Sequence, residues 1–159
     1  MNIRIGNGYD VHRLVVDRPL VIGGVTIPWH LGLAGHSDAD VLLHAICDAC
    51  LGALGKGDIG HHFPPSDEQF RNADSRLFVQ SIYQMIHESG WHLINMDCTI
   101  VAEKPKMAHH IPQMKMNIAH DLSASMDQIN VKATTTEGLG FTGEQQGIAA
   151  YAVVLLGNS

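Results

Sequence analysis

Asp10 and His12 stand two apart in the segment GYDVH, where a carboxylate and an imidazole first come within reach of each other. Side chains along a strand alternate between faces, so residues i and i+2 point the same way. One hard oxygen and one imidazole nitrogen on a rigid strand are two of the three protein ligands that a catalytic zinc site requires. The plain alternative is a polar pair on a solvated strand edge. A further imidazole is available in His44, inside the apolar run VLLHAICDA. A histidine in such a run is commonly a hydrogen-bonded core residue. Here, however, Asp40 and Asp48 stand at i−4 and i+4, on the same helical face. Carboxylates so placed can fix a ring's tautomer and raise its basicity. A competing cluster shares the helix, because His44, Cys47 and Cys50 are spaced H-x2-C-x2-C. At ~3.6 residues per turn the thiols rotate away from the Asp40–His44–Asp48 stripe, and small buried thiols usually pack rather than react.

Four other segments carry groups suited to phosphate, to ligand hydroxyls or to a nucleotide. HSDAD places His36 and Ser37 just before a helix start, where free backbone N–H groups favour anions; simple capping by Ser37 or Asp38 explains the same residues. GKGDIG sets Asp58 in a glycine-flanked turn, able to accept from ligand hydroxyls or merely to close an Asx turn. In KATTTEGLGFTG, Thr134, Thr135 and Thr136 end a strand and Glu137 follows at once. Hydroxyls and open amides suit phosphate oxygens, and a carboxylate there suits Mg2+, which takes one or two carboxylates plus substrate oxygens. Plain β-propensity also accounts for the threonines. No GxxxxGK[ST] occurs, so this is not a P-loop. In AEKPKMAHHIP, Pro105 and Lys106 form a stiff turn whose exposed backbone could read the edge of a base.

The elements that must position these residues are legible from periodicity. Residues 3–13 read as a strand, and 18–29 as a hairpin around Gly23-Gly24. Residues 31–40 read as a glycine-rich loop leading into a buried helix over 39–54 that ends at Gly55. The stretch 55–74 reads as a long loop, of the kind that is usually functional or mobile. Ser75 is expected to cap a second helix with Phe78, Ile82, Met85 and Ile86 on its apolar face. A strand over 91–103, a helix over 109–122 with Ile111, Met114, Ile118 and Leu122 as its stripe, and strands over 129–137 and 147–157 complete the chain. This is an α/β (α+β) arrangement: one mixed sheet with three helices packed on it, in a single domain over 1–159.

The totals narrow the function classes. With 159 residues, 45% apolar and 16% charged, the chain can bury a sizeable core. A net charge of −6 without a basic cluster argues against nucleic acid as a partner. No run approaches a membrane span or a signal peptide, and three cysteines, an odd number, argue against a disulfide framework. A cytoplasmic protein acting on a small molecule is expected, and eleven histidines make an imidazole site worth seeking.

The ordered set GYDVH, HSDADVLLHAICDA, GDIG, FPPSD, ADS, PKM, INVKATTTEGLGFTG and GIAAYAVVLL resembles the 2-C-methyl-D-erythritol 2,4-cyclodiphosphate synthases of the non-mevalonate isoprenoid pathway, from about Ile3 to Leu156. The resemblance implies a homotrimer with active sites between subunits, and a lyase-type release of CMP from 4-diphosphocytidyl-2-C-methyl-D-erythritol 2-phosphate as the 2-phosphate attacks the β-phosphorus. It implies zinc, or another divalent cation, on Asp10, His12 and His44, with Asp48 beside them. It implies Mg2+ or Mn2+ on Glu137, bridging the substrate diphosphate. By the same resemblance His36 and Thr135 are catalytic. Ser37 binds phosphate, Asp58, Ile59 and Gly60 the methylerythritol hydroxyls, and Ala102, Pro105, Lys106, Met107 and Ala108 the cytosine. Thr134 and Thr135 bind the CDP phosphates, Phe141 joins the substrate site, and 61–74 closes over it. Asn7, Pro65 and Glu144 depart from the family pattern. Asn7 replaces a common histidine outside the ligand set, and Pro65 an aspartate of some members. Glu144 replaces the arginine of FTGRGEG, which helps hold an isoprenoid diphosphate near the trimer axis. Other readings of the same residues are a metal-dependent phosphohydrolase using a bound water, and a trimeric CDP- or zinc-binding module without catalysis.

Overall fold

The computed structural model describes all residues 1–159. Its frame is a five-stranded mixed sheet in the order β4-β1-β7-β5-β6. The strands are β1 (Asn2–Val15), β4 (Gly32–Leu33), β5 (His92–Val101), β6 (Ile129–Thr134) and β7 (Gly147–Asn158). The long β1 and β7 pair antiparallel along their whole length, β5 joins β7 antiparallel, and β6 joins β5 in parallel. The hairpin appears as β2 (Leu20–Ile22) and β3 (Val25–Ile27), a separate two-stranded sheet. Its Gly23-Gly24 turn has φ of +61° and +72°, the left-handed pair that a two-residue turn between twisted strands demands.

Burial along β1 alternates as a strand between helix and open face must. Gly6 and Gly8 are buried, whereas Ile3, Ile5, Tyr9 and Val11 stand exposed on the opposite face. The buried face meets α1 (Val41–Leu54), which lies across β1 and β7. Their approach is so close that a Cβ on Gly8 would sit 1.9 Å from the Ala45 carbonyl oxygen. Glycine is required here for space rather than for backbone freedom. Helix α3 (Ser75–Glu88) packs beside α1, and α4 (Ile111–Asp121) packs against α3 and β6. Phe78, Ile82 and Ile86 of α3, and Met114 and Ile118 of α4, enter the core at the expected spacing.

Several expectations need correction. Two single-turn helices, α2 (Ile59–His62) and α5 (Gly140–Gly143), add to the three long ones. The stretch 55–74 is not structureless: it holds α2 and a 3-10 turn at Glu68–Phe70. Phe63 and Phe70 there pin it against α3, with Phe63 stacked on Phe78 at 4.5 Å between centroids and Phe70 edge-on to both. Stacked and edge-on rings replace the apolar periodicity that a helix would have shown. β5 stops at Val101 and β6 at Thr134, so Ala102 and Thr135 lie in loops beyond the sheet. Asp74, not Ser75, caps α3, its carboxylate accepting from the Arg76 amide. The longer side chain one residue earlier reaches the free N–H groups and leaves Ser75 buried. No helix is long and apolar enough to cross a membrane.

Candidate metal centre and nucleotide pocket

Strand geometry delivers Asp10 and His12 to the helix-facing side of β1, and α1 delivers His44 opposite them. Three ligand atoms converge. Asp10 Oδ2 lies 2.8 Å from His12 Nε2 and 3.1 Å from His44 Nδ1, and the two ring nitrogens are 3.2 Å apart. A tetrahedral ion with bonds of about 2.0–2.1 Å spaces its ligand atoms about 3.3 Å apart. Two sides of the triangle come close to that spacing and the Asp10–His12 side is tighter, and two imidazoles with one carboxylate are a donor set that a divalent ion accepts. Burial would raise the Asp10 carboxyl, but hydrogen bonds from His12 and His44 outweigh it and bring it down to about 2. Burial likewise opposes charge on His12, yet the Asp10 carboxylate prevails and raises its pKa.

The far side of each ring is also occupied. His12 Nδ1 is 2.8 Å from the Ala34 carbonyl, which fixes Nδ1 as the protonated nitrogen and leaves the Nε2 lone pair inward. His44 Nε2 is 2.8 Å from the Ser75 hydroxyl and 3.3 Å from that of Ser37. Periodicity assigns this duty to Asp40 and Asp48, but neither carboxylate hydrogen-bonds to His44. Asp40 caps α1 at Leu43 and accepts from the Gly23 and Gly24 amides, locking the hairpin turn onto the helix. Full burial raises its carboxyl to about 6 against those three hydrogen bonds. Asp48 accepts from the Ile59 amide at 2.8 Å and so anchors the start of α2. An i±4 neighbour shares the face, but a carboxylate near free N–H groups satisfies those first. Ser75 escaped the sequence reading because nothing in one hydroxyl thirty-one residues away announces a contact with His44. The thiols of Cys47 and Cys50 are fully buried in the core, outside the ligand cluster, and burial lifts Cys50 to about 12.

His12 and His44 line a cavity of about 240 Å³ with His36, Ser37, Ile59 and Gly60. Phe63, Pro65, Phe70 and Phe78 supply its apolar wall. The HSDAD loop is stitched to the covering segment: the Asn72 amide donates to His36 O, the Asp38 amide to Ala73 O, and His36 Nε2 to Asp67 O. Asp58 caps α2 through the His61 amide and is exposed, outside the cavity lining.

A second pocket, of about 260 Å³, opens where β5 and β6 end. It gathers Ala102, Pro105, Lys106, Met107, Ala108, Thr134 and Thr135, two sequence segments that only the parallel β5–β6 pairing brings together. Glu103, unremarked in the sequence, also lines it. Its carboxylate accepts from the Thr136 and Gly138 amides at 3.2 and 3.1 Å, holding the turn that bears Glu137. Glu137 itself is exposed, with φ of +53°, and Phe141 lies outside both cavities.

Comparison with known proteins agrees with this geometry. The profile of the YgbB family matches residues 3–157. The chain is 63% identical over 153 residues to the 2-C-methyl-D-erythritol 2,4-cyclodiphosphate synthase of a Geobacillus species, covering 96% of this chain and 97% of that one. It is 62% identical over 154 residues to the enzyme of that name from Geobacter sulfurreducens, with 97% and 98% coverage. Among solved structures, the bifunctional IspDF from Campylobacter jejuni superposes with a TM-score of 0.94 at 46% identity over 98% of this chain, which spans 42% of that longer one. A CDP complex of IspF from Plasmodium falciparum gives a TM-score of 0.86 at 35% identity, over 98% and 96% of the two chains.

Proposed function

Because the chain belongs to the YgbB family, we propose that it converts 4-diphosphocytidyl-2-C-methyl-D-erythritol 2-phosphate to 2-C-methyl-D-erythritol 2,4-cyclodiphosphate and CMP, as a phosphorus–oxygen lyase. The observation that carries this reading is the Asp10–His12–His44 triangle set in a cavity beside His36 and Ser37. Asp10, His12 and His44 would hold Zn2+, and Glu137, a single exposed carboxylate, suits Mg2+ or Mn2+ that draws its other ligands from substrate and water. Bound there, these ions supply positive charge against phosphate oxygens that otherwise repel each other.

Phosphoryl transfer asks the protein for position and charge, not for a nucleophile of its own. His36 and Ser37 bind the attacking phosphate from the edge of the triad cavity. Thr134 and Thr135 hold the CDP phosphates, Thr135 opposing charge as CMP leaves, with Phe141 beside them. The backbone of Ala102, Pro105, Lys106, Met107 and Ala108 receives the cytosine. Asp58, Ile59 and Gly60 orient the methylerythritol hydroxyls, and Phe63, Pro65 and Phe70 keep water from the diphosphate.

The place of these two halves supports a homotrimer. β1 and β6 are three places apart in the sheet, roughly 14 Å at about 4.8 Å per strand. The helix-free face between them exposes Ile3, Ile5, Tyr9, Val11, Tyr151 and Val153. Burying that face against other copies would set one chain's triad beside a neighbour's nucleotide pocket. The reaction belongs to the cytoplasm, where its phosphorylated substrate is retained.

Incubation with the substrate, followed by 31P NMR, tests the reading. Cyclic diphosphate and CMP are expected, with loss of both products in His44→Ala and on chelation. Linear products carrying 18O from solvent water would overturn it in favour of a phosphohydrolase. Binding of CDP without turnover would leave only a binding module.

A further inference from the structure

We propose that Ser75 and Asp38 are positioning residues of the metal centre, the Asp38 carboxylate acting through the Ser75 hydroxyl to hold His44 in the tautomer that offers Nδ1 to the ion. The inference rests on the reading of Asp10, His12 and His44 as metal ligands and adds what fixes the third of them.

His44 Nδ1 faces Asp10 and His12, so as a ligand it must carry a lone pair. The ring proton then belongs on Nε2 and needs an acceptor. The nearest is Ser75 Oγ at 2.8 Å, with Ser37 Oγ at 3.3 Å the weaker choice. A serine hydroxyl can donate or accept, so by itself it selects no tautomer. If it turned its proton toward Nε2, the imidazole proton would move to Nδ1 and block the ion. Asp38 removes that ambiguity. Its Oδ1 accepts a hydrogen bond from the Ser75 hydroxyl, and its Oδ2 accepts from the Ser75 amide at 3.0 Å. An ionised carboxylate can only accept, so the chain runs one way, from His44 Nε2–H to Ser75 Oγ–H to Asp38. Ser75 has no exposure, and no solvent competes for its hydroxyl. The first position of α3 thus supports a ligand on α1, while Asp38 comes from the loop joining β4 to α1. Partners of this kind, touching ligands but not the ion, typically change metal affinity by about 10–100-fold.

The test measures Co2+ and Zn2+ dissociation constants by spectroscopic titration, and the His44 ring protons by 15N NMR of the ion-loaded protein. The parent is expected to bind the ion and show a protected Nε2–H on His44. Ser75→Ala should weaken binding about 10–100-fold and lose that protection. Ser75→Cys, nearly isosteric but a poor acceptor, should do likewise and covers the case in which alanine fails to fold. Ser75→Thr, which keeps the hydroxyl, should restore affinity to within about threefold, well below the roughly 10–100-fold that a lost partner costs. A merely structural Ser75 would lower the melting temperature without moving affinity or the ring proton. If the parent binds the ion and the Ala or Cys variant binds it equally well, the proposal is overturned while the triad stands. A parent that binds no ion overturns both.

Discussion

A methyl group on Gly8 would strike the backbone of α1, and the consequence should be read at the metal centre rather than at Gly8. The added Cβ lies 1.9 Å from Ala45 O and 2.8 Å from the Ala49 nitrogen, both main-chain atoms that cannot swing aside. Real Cβ contacts essentially never fall below 3.0 Å, so strand and helix must part by at least about 1.1 Å, the difference from 1.9 Å. Ala45 follows His44 directly, and Gly8 is two residues from Asp10, so the movement opens the ligand triangle itself. Its sides are 2.8, 3.1 and 3.2 Å, and metal–ligand distances tolerate only about 0.2 Å. Gly8→Ala should therefore weaken ion binding by about 100-fold, the upper end for losing a ligand's support. Overpacking should cost about 1–3 kcal/mol, or very roughly 3–10 °C in melting temperature at this chain length. Gly52→Ala is the control on the same helix. Its Cβ would meet only Asn7 O, at 3.9 Å, and helix propensity should stabilise it by up to about 1 kcal/mol. Calorimetry with and without Zn2+ gives both quantities. A Gly8→Ala protein that keeps the parent's ion affinity would refute the idea that glycine contact sets the triad spacing.

The triad also predicts opposite pH responses with and without metal. The raised pKa of His12 gives the ion-free protein stability that is complete below the unfolded value of about 6.5 and lost as pH rises through the folded value. The depressed Asp10 pKa gives stability present above its unfolded value, near 3.8, and lost as pH falls toward about 2. Ion uptake displaces the His12 proton, so the thermal shift on adding Zn2+ should grow between pH 6 and pH 8; a larger shift at pH 6 would contradict the assignment. Glu103→Ala removes two acceptors from the Thr136 and Gly138 amides. At about 0.5–1.5 kcal/mol each, their loss should weaken CDP binding roughly tenfold and leave zinc affinity unchanged, both readable by calorimetric titration. Glu144 accepts from the Gln146 side chain and is exposed. In the proposed homotrimer three such glutamates about the axis would repel a diphosphate, so isoprenoid diphosphates should bind weakly or not at all. Glu144→Arg should raise their affinity, and tight binding by the parent would sink the idea.

What the sequence shows of this site follows from how local each constraint is. Asp10 and His12 are legible because strand alternation acts over two residues, and the hairpin because Gly23-Gly24 imposes its own backbone. Phe78, Ile82 and Ile86 are legible because a helix buries one face. His44 is visible as a polar break in an apolar run, but its ring partner is not: Asp40 and Asp48 share its face yet hydrogen-bond to nearby amides. Long-range partners leave no such trace. Ser75 meets His44 across thirty-one positions, Glu103 meets Gly138 across thirty-five, and the aromatic contacts that order 59–70 follow no period. The resemblance supplied residues for the nucleotide pocket that periodicity alone could not, because that pocket exists only once β5 and β6 pair in parallel.

The two halves of the site are therefore made rigid by different means, and this bears on what each can do. Around the triad, the spacing is fixed by main chain against main chain at Gly6 and Gly8, and both rings are bonded on their outer nitrogens. An ion site needs such stiffness, because its energy falls steeply with small displacements. The pocket beyond β5 and β6 is made of loop backbone and threonine hydroxyls, held by one carboxylate at a turn. Hydroxyls rotate and amides accept small shifts, so this half can follow a nucleotide as its phosphates change charge. Between them stand two strands that reach neither cavity with a polar side chain but expose Tyr151 and Val153 on the helix-free face. Left open to solvent, an apolar stripe of this kind is a liability for aggregation. Buried against other copies, as in the proposed homotrimer, it would bring a stiff ion site and an adaptable loop pocket to the two ends of one substrate.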